Sequence, residues 1–209
     1  MNHLYNEDYF ERGYQSRLSL YQNYRWMPEM TIRMVYAIIE YLDIKSTDKI
    51  LDYGCAKGYV VKAFRILFKN AMGCDISEYA VSNADTDTKP YLKLSENGMI
   101  PFDIKFDWII SKDTLEHISY YDIDRVLYQI SQLTDSLFAI IPLGENRSYR
   151  IPAYELDVTH IIKENETWWT NKIQSAGFNS VKLVHRVLVI KDNWNNYPDG
   201  NAFIIAKKS

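Results

Sequence analysis

The amino-acid sequence predicts a doubly wound α/β domain with a mainly parallel sheet and helices on both faces. From Pro28 onward, short apolar segments alternate with segments of helical apolar spacing, a pattern typical of parallel sheets. The last two apolar segments, 181–190 and 202–206, follow one another without a helical segment between them, so we expect them to pair antiparallel. We interpret residues 1–27 as an arm and residues 28–209 as one domain.

The individual elements follow from local signals. Pro28 suits the first turn of a helix, Ser77 is a favourable N-cap, and Gly177 is suited to the position after a helix end. The predicted helices cover residues 28–42, 59–68, 78–84, 122–133 and 165–176. The predicted strands cover residues 49–53, 71–75, 91–94, 106–111, 137–143, 181–190 and 202–206.

Composition and charge limit the function classes. The chain has 209 residues, ordinary hydrophobic content and a net charge of −3, so no overall basic field favours nucleic acid or an anionic membrane. The sequence has no apolar run long enough for a membrane span, and its N-terminus is polar and acidic. Cys55 and Cys74 have no metal-binding or redox spacing. We expect a cytoplasmic protein, monomeric or homodimeric.

The segment Asp52-Tyr53-Gly54-Cys55-Ala56-Lys57-Gly58 lies between a predicted strand and a predicted helix. Its two glycines allow a sharp turn and a close approach of the backbone to a ligand. Asp75 ends the next strand, where a carboxylate can accept hydrogen bonds from both hydroxyls of a ribose. This combination predicts a nucleoside site, whereas the plainer interpretation is a glycine turn that only joins a strand to a helix.

Two cofactor classes compete for this site. A dinucleotide fingerprint needs G-x-G-x-x-G, but Ala56 and Tyr59 occupy the second and third glycine positions. The D-x-G-C-x-x-G form instead resembles motif I of the class I S-adenosylmethionine-dependent methyltransferases. The resemblance implies a seven-stranded, Rossmann-like sheet, S-adenosyl-L-methionine as cofactor and S-adenosyl-L-homocysteine as product. An NAD-dependent oxidoreductase is the disfavoured alternative.

The resemblance extends over nearly the whole chain. Residues 73–77 resemble the family's ribose motif, residues 95–102 its adenine segment, and Leu115-Glu116-His117 its L-E-H motif. It implies that Asp75 binds the ribose, Glu96 and Asn97 contact the adenine, and Asp52 orients the methionine ammonium. The predicted cofactor-binding residues are Asp52, Gly54, Cys55, Ala56, Gly58, Asp75, Ile76, Glu96, Asn97, Ser111 and Tyr24.

Other segments indicate the acceptor class. Ser111-Lys112-Asp113 replaces the [N/D]-P-P-[Y/F/W] pattern of enzymes that methylate amino groups in nucleic acid. Residues 155–160 contain a D-x-T-H segment, and residues 5–13 resemble the opening of enzymes linked to surface-polysaccharide synthesis. We expect methyl transfer to an oxygen, or less readily a nitrogen, of a sugar, glycan precursor or other small metabolite. A non-catalytic, cofactor-binding methyltransferase-like subunit is the alternative.

His117 and His160 follow the fourth and fifth predicted strands, whose carboxyl ends lie at one edge of the sheet. Either can serve as the base that a hydroxyl nucleophile needs, and the plainer interpretation is a histidine bonded to Glu116 or Asp157. These four residues also offer mixed nitrogen and oxygen ligands, but their spacing is not metal-specific, so we expect no metal. The predicted substrate-binding residues are Tyr14, Tyr21, Arg147, Arg150, Tyr154 and Asp157.

The first 26 residues hold seven of the chain's aromatic side chains. Packing over the sheet edge would explain them, but the weak periodicity favours a lid that closes over cofactor and substrate. In that hypothesis Tyr14, Tyr21 and Tyr24 exclude water, and one ring faces the cationic sulfonium of the cofactor.

Overall fold

The structure, a computed structural model, describes residues 2–208 as a central sheet covered by helices. The α-helices are α1 (Glu7–Glu11), α2 (Gly13–Ser16), α3 (Pro28–Leu42), α4 (Tyr59–Ile66), α5 (Glu78–Ser82), α6 (Ile123–Leu133) and α7 (Glu166–Ser175). The strands are β1 (Lys49–Tyr53), β2 (Asn70–Asp75), β3 (Leu92–Leu94), β4 (Trp108–Lys112), β5 (Ser136–Pro142), β6 (Gly144–Glu145), β7 (Ser148–Tyr149), β8 (Ser180–Val184) and β9 (Asn201–Lys207). Short 3-10 turns include Leu115–His117 and Pro152–Leu156.

The central sheet has seven strands in the order β3-β2-β1-β4-β5-β9-β8, and β6 and β7 form a separate small hairpin. β1 pairs parallel with β2 and β4, whereas β9 runs antiparallel to both β5 and β8. The order therefore changes direction between β1 and β4, which is where open α/β sheets bind ligands. The expected mainly parallel sheet with a C-terminal antiparallel pair is confirmed.

Successive residues of the central strands bury opposite faces of the sheet. Ile50 of β1 packs in the core under α3 and α4, while its neighbour Leu51 packs in the core under α6 and α7. Both side chains are fully buried, which is the pattern of a strand covered on both faces. Within residues 2–208, we find no helix of the length and apolarity needed to cross a membrane.

Several predicted boundaries differ from the structure. The strand predicted over residues 181–190 ends at Val184, because the chain then turns and Val187 pairs with Ile190 in an isolated bridge. The first part of the strand predicted over residues 91–94 forms the end of a 3-10 turn, Lys89–Tyr91, in which Pro90 limits the backbone. The hairpin of β6 and β7 was absent from the predicted elements, since two-residue strands leave no periodic signal.

The arm contains two short helices, α1 and α2, although its sequence shows no clean periodicity. Asn6 caps α1 by accepting a hydrogen bond from the amide of Tyr9. Tyr9 and Phe10 are buried among other aromatic rings. The arm is thus partly a small aromatic core of its own, placed at the carboxyl edge of the sheet.

Candidate functional site

A cavity of about 400 Å³ lies at the carboxyl ends of the central strands, between the sheet and the arm. This volume is within the range of small-molecule sites. Its walls come from the segments that follow β1, β2, β3 and β4, from the start of α6 and from the arm. The residues that line the cavity include Tyr5, Tyr9, Phe10, Tyr21, Gly54, Ala56, Asp75, Ile76, Asn97, Asp113, Thr114 and His117.

The turn after β1 forms one wall, which we call the glycine side and define as Gly54, Ala56 and Asp75. Gly54 has φ +84°, and a Cβ atom there would lie 2.2 Å from the side chain of Thr114. Ala56 also has a positive φ of 49°, which explains why related motifs favour glycine at this position. The turn therefore depends on small residues, because a side chain at Gly54 would collide with Thr114.

Asp75 ends β2 with its carboxylate held by two backbone amides. The amide of Ala56 donates to Oδ2 at 2.7 Å, and the amide of Ser77 donates to Oδ1 at 2.8 Å. Burial raises the pKa of the Asp75 carboxyl, whereas these amides counteract that shift. Because the carboxylate lines the cavity in a fixed orientation, it is suited to accept the hydroxyls of a ribose.

Asp52 lies buried near the end of β1, behind the glycine side. Burial and the neighbouring Asp75 raise the pKa of its carboxyl to about 7, while Lys112 acts in the opposite direction. A cation bound nearby would favour the charged form of this carboxylate. Asp52 does not line the cavity, so it can act on a bound cation only from behind the wall that Asp75 forms.

The turn after β3 forms the adjoining wall. Asn97 lines the cavity with φ +52°, and Gly98 accepts a hydrogen bond from the hydroxyl of Tyr53 at 2.7 Å. Glu96 is exposed and lines a neighbouring cleft together with Ile76 and Asn97. The structure therefore places the predicted adenine residues at the rim where the two spaces meet.

The opposite wall contains a cluster that we call the histidine cluster, defined as Glu116, His117 and His160. These residues come from the segments after β4 and β5, which are far apart in sequence. The ring centroids of His117 and His160 nevertheless lie 4.6 Å apart. His160 Nε2 lies 4.0 Å from Glu116 Oε1. Among these residues His117 lines the cavity, whereas Glu116 and His160 lie behind it.

Burial controls the protonation of the histidine cluster. It lowers the pKa of His117 to about 4, with help from the neighbouring His160, and it also lowers the pKa of His160. Burial raises the pKa of the Glu116 carboxyl well above its usual range, and Asp113 adds to this effect. Both imidazoles are therefore neutral near pH 7, and each keeps one ring nitrogen with a lone pair.

Asp113, at the floor of the cavity, is paired with two lysines. Lys112 contacts Oδ2, and Lys191, from the turn after β8, contacts Oδ1. Burial alone would raise the pKa of the Asp113 carboxyl, but these ammonium groups lower it. Lys191 also donates to Asn201 at 2.8 Å, so the floor is connected to the last strand.

The arm covers the cavity and is attached at two places on the carboxyl edge of the sheet. Lys57 contacts Glu11 at 2.5 Å on the glycine side, and the hydroxyl of Tyr9 donates to Asp157 at 2.8 Å near the histidine cluster. Ser77 also donates to the backbone carbonyl of Tyr5. Of the three arm tyrosines predicted to face ligands, the structure places only Tyr21 in the cavity wall.

The other predicted substrate residues occupy different places. Tyr14 is 64% exposed, and Arg147 lies at the exposed turn between β6 and β7. Arg150 is bound by Glu166 through two nitrogens, at 2.6 and 2.9 Å. Tyr154 is buried and donates to Asn201. Within the described chain none of these four, nor Asp157, lines the cavity, so their predicted contact with substrate has no support in this geometry.

Some predicted cofactor residues act through the backbone around the cavity rather than at its surface. Cys55 is buried against Gly73: a Cβ atom added to Gly73 would lie 2.8 Å from the Cys55 side chain. Gly58 begins α4 with φ +77° and backs onto Leu92. Ser111 is buried in β4, and Tyr24 packs against the rings of Phe10, Tyr21 and Tyr59. Their side chains do not line the cavity.

Sequence reasoning missed other residues of the wall. Asp113 and Thr114 follow directly after β4, so the rule that ligands bind at carboxyl ends of strands could have identified them. Tyr5, Tyr9 and Phe10 lie in the segment recognised as aromatic, but only the helix α1 selects which rings face inward. Lys191 lies in the turn after β8, which ends at Val184, six residues before the end predicted from the sequence. No local sequence signal therefore indicates that Lys191 reaches the cavity floor.

Comparisons with known proteins agree with this geometry. A family model described as a methyltransferase domain matches residues 26–182. No curated protein matches the sequence. Among solved structures, a Haloferax volcanii methyltransferase in complex with the activator Trm112 is 17% identical, with a TM-score of 0.68 over 87% of this chain and 91% of that one.

Two further structures show the same fold. An Archaeoglobus fulgidus SAM-dependent methyltransferase is 17% identical, with a TM-score of 0.62 over 87% of this chain and 97% of that one. Human N-acetylserotonin methyltransferase in complex with SAM is 15% identical, with a TM-score of 0.61 over 86% of this chain and 51% of that one. At these identities the likeness concerns the fold.

Proposed function

Because this chain belongs to the class I S-adenosylmethionine-dependent methyltransferases, we propose that it transfers the methyl group of its cofactor to an oxygen of a sugar, glycan precursor or other small metabolite. The supporting observation is a covered cavity that joins the glycine side to a neutral histidine. S-adenosylmethionine supplies, when bound, a methyl carbon on a positively charged sulfur. The residues around the cavity position that carbon and its acceptor.

The glycine side fits this cofactor. Asp75 accepts the ribose hydroxyls, the Gly54 turn admits the methionine end, and Asp52 supports its ammonium group. Asn97 and Ile76 contact the adenine from the rim, with Glu96 available for its amino group. The support for this arrangement is the tight packing of the turn, where an added Cβ on Gly54 would collide with Thr114, together with the Asp75 carboxylate in the same wall.

The histidine cluster serves the acceptor. His117 lines the cavity, and its neutral ring accepts the proton that a hydroxyl loses on methylation. Thr159 fixes that ring through its contacts with Nδ1. Aromatic side chains of the arm exclude water, and Tyr21 and Tyr9 form an apolar wall suited to the ring or chain of a small acceptor.

Charge and cover argue for a small acceptor rather than a nucleic acid. The net charge of −3 provides little attraction for phosphate backbones, and the arm lies over the cavity. We place the enzyme in the cytoplasm, as a monomer or homodimer. The competing proposal is a cofactor-binding subunit that lacks activity or is active only with a protein partner. The Haloferax volcanii methyltransferase of similar fold is in complex with such a partner, Trm112.

Turnover distinguishes these proposals. Incubation of the full chain with S-adenosylmethionine and a fractionated pool of sugars and small metabolites should produce S-adenosylhomocysteine and a product heavier by one methyl group, detected by mass spectrometry. His117→Ala should lower kcat by roughly 10²- to 10⁴-fold while cofactor affinity is kept. His185→Ala is the control, because His185 contacts Asn201 and Glu166 outside the cavity wall. Cofactor binding without turnover in any fraction would favour the inactive subunit.

A further inference from the structure

Glu116 is a fully buried carboxylate without a hydrogen-bond partner in the described chain. Neither of its side-chain oxygens has a hydrogen-bond partner among residues 2–208, and its exposure is 0%. Its backbone carbonyl accepts two amides, those of Ile161 and Ile162, which hold the residue in place. Buried carboxylates are normally paired, hydrogen-bonded or bound to a metal ion, so this group needs a compensating cation or a proton.

Nearby lysines do not supply that cation. Lys191 and Lys112 both contact Asp113, and Lys191 also donates to Asn201. No hydrogen bond or ion pair in the described chain joins either ammonium group to Glu116. The positive charge of this region is thus already engaged at the cavity floor, and the side chains beside the Glu116 carboxylate are those of His117 and His160.

The spacing of the histidine cluster suits a single metal ion better than a direct bond. One ligand atom from each of Glu116, His117 and His160 lies within 4.8 Å of the other two. The 4.0 Å between His160 Nε2 and Glu116 Oε1 is too long for a hydrogen bond. Ligands bound at about 2.0–2.2 Å to one zinc ion lie about 3–4 Å from one another, so small side-chain movements would bring the three onto one ion.

The surroundings orient both imidazoles as metal ligands require. His160 Nδ1 lies 2.9 Å from the carbonyl of Tyr154, and His117 Nδ1 lies 3.2 Å from the carbonyl of Thr159. A carbonyl can only accept, so each Nδ1 carries the proton and each Nε2 keeps its lone pair. Such contacts from the second nitrogen to a carbonyl are usual for metal-binding histidines.

A second layer supports His117. Thr159 Oγ1 donates to Asp157 at 2.6 Å, so its contact with His117 Nδ1 at 2.8 Å receives the ring proton. Asp157 also accepts the hydroxyl of Tyr9 from the arm. The carboxylate of Asp157 therefore increases the basicity of His117 through one hydroxyl.

From these observations we infer that Glu116, His117 and His160 bind one divalent transition-metal ion at the wall of the cavity. Two imidazoles and one carboxylate favour zinc, cobalt or nickel over magnesium or calcium, which prefer oxygen ligands. Three protein ligands leave a coordination position open, and His117 places the site beside the cavity. In the metal-bound form His117 is a ligand instead of the proton acceptor proposed above.

Metal binding by the purified full chain tests this inference without any need for activity. Untagged protein is stripped with a chelator, dialysed and titrated with Zn²⁺ against a chromogenic competitor, and with Co²⁺ followed by its visible absorption. We expect one ion per chain and at least 100-fold weaker binding by Glu116→Gln and by His160→Gln. His185→Ala, a matched histidine away from the cluster, should bind as the wild type does. Mg²⁺ should not compete at equal concentration.

Three results would overturn the inference: no stoichiometric Zn²⁺ binding by the wild type, equal binding by Glu116→Gln, or equal competition by Mg²⁺. A thermal shift with S-adenosylhomocysteine shows that each variant is folded, because that ligand binds on the glycine side. If Glu116→Gln fails this control, His160→Gln decides the outcome. Loss of metal binding with the cofactor shift retained supports the site, whatever acceptor the enzyme uses.

Discussion

The two walls of the cavity differ in how their polar groups are satisfied. On the glycine side, backbone amides of Ala56 and Ser77 hold the Asp75 carboxylate in one orientation. In the histidine cluster, the Glu116 carboxylate has no hydrogen-bond partner within residues 2–208, and burial lowers the pKa of both rings. The first wall is complete before a ligand arrives, whereas the second is completed by a proton, an acceptor or an ion.

This contrast indicates that the two walls have different roles. A preorganised wall binds a constant ligand with little rearrangement, which suits a cofactor. A wall whose carboxylate lacks a hydrogen-bond partner and whose histidines have lowered pKa values is typical of groups that exchange protons or ligands during a reaction.

Asp75→Ala should abolish cofactor binding. The substitution removes the carboxylate that accepts the ribose hydroxyls and leaves the amides of Ala56 and Ser77 without their acceptor. S-adenosylhomocysteine at about 100 times its Kd stabilises a protein by roughly 2.7 kcal/mol, and this gain should disappear in a thermal-shift measurement. Asp87→Ala is the control, because Asp87 is an exposed partner of Lys62. A normal shift with Asp75→Ala would refute the ribose role.

Gly54→Ala should destabilise the chain by about 2–4 kcal/mol. The new Cβ would lie 2.2 Å from Thr114 and would require an alanine at φ +84°. Gly98→Ala is a matched control, since Gly98 also has a positive φ of 74° but its nearest neighbour lies at 3.4 Å. Urea unfolding of both variants separates the steric clash from the backbone strain. Equal losses would mean that the collision with Thr114 contributes nothing to the cost of the substitution at Gly54.

The sequence predicts the contact between two residues of this site better when they are close along the chain. Gly54 and Asp75 are 21 residues apart, lie on adjacent strand ends, and are marked by two successive motifs, residues 52–58 and 73–77, so their juxtaposition follows from the βαβ rule. His117 and His160 could be placed at the same edge because each follows a strand. Their contact with each other depends on the turn geometry of residues 152–160, which has no periodic signal.

Elements with strong periodicity were predicted well, and those stabilised by tertiary contacts were not. α3 matches its predicted bounds, Pro28–Leu42, because its apolar face and its N-terminal proline are both local signals. β8 ends at Val184 although apolar residues continue to Ile190, because the chain turns back to bring Lys191 to Asp113. The helices of the arm form around Tyr9 and Phe10, whose burial depends on the rest of the molecule.

Asp52→Asn should reduce the pH dependence of stability. In the unfolded chain the pKa of Asp52 lies near the ordinary aspartate value of 3.8, whereas burial and Asp75 raise it in the folded state to about 7. The folded protein binds more protons between these values, so the free energy of unfolding falls as the pH rises from about 4 to about 7.

The difference between wild type and Asp52→Asn isolates this contribution from those of Asp75 and Glu116, whose carboxyls also have raised pKa values. Between pH 5 and pH 7 the wild type should lose about 2 kcal/mol more than the variant in urea unfolding, at about 1.4 kcal/mol for each pKa unit. With bound S-adenosylmethionine the loss should shrink, because a nearby ammonium favours the charged carboxylate. Parallel pH profiles of the two proteins would contradict the assignment.

Glu11→Gln should loosen the arm at the glycine side. Lys57 contacts Glu11 at 2.5 Å, and these side chains are only 10% and 22% exposed, so the loss of charge should cost about 1 kcal/mol. Amide hydrogen exchange of Glu7–Glu11 should then be several-fold faster. Asp8→Asn breaks a pair with Arg12 in which both side chains are 50% exposed, and it should change exchange little. If the arm acts as a lid, S-adenosylhomocysteine should slow this exchange in both variants, whereas an arm that only packs over the edge should exchange at the same rate with and without the ligand.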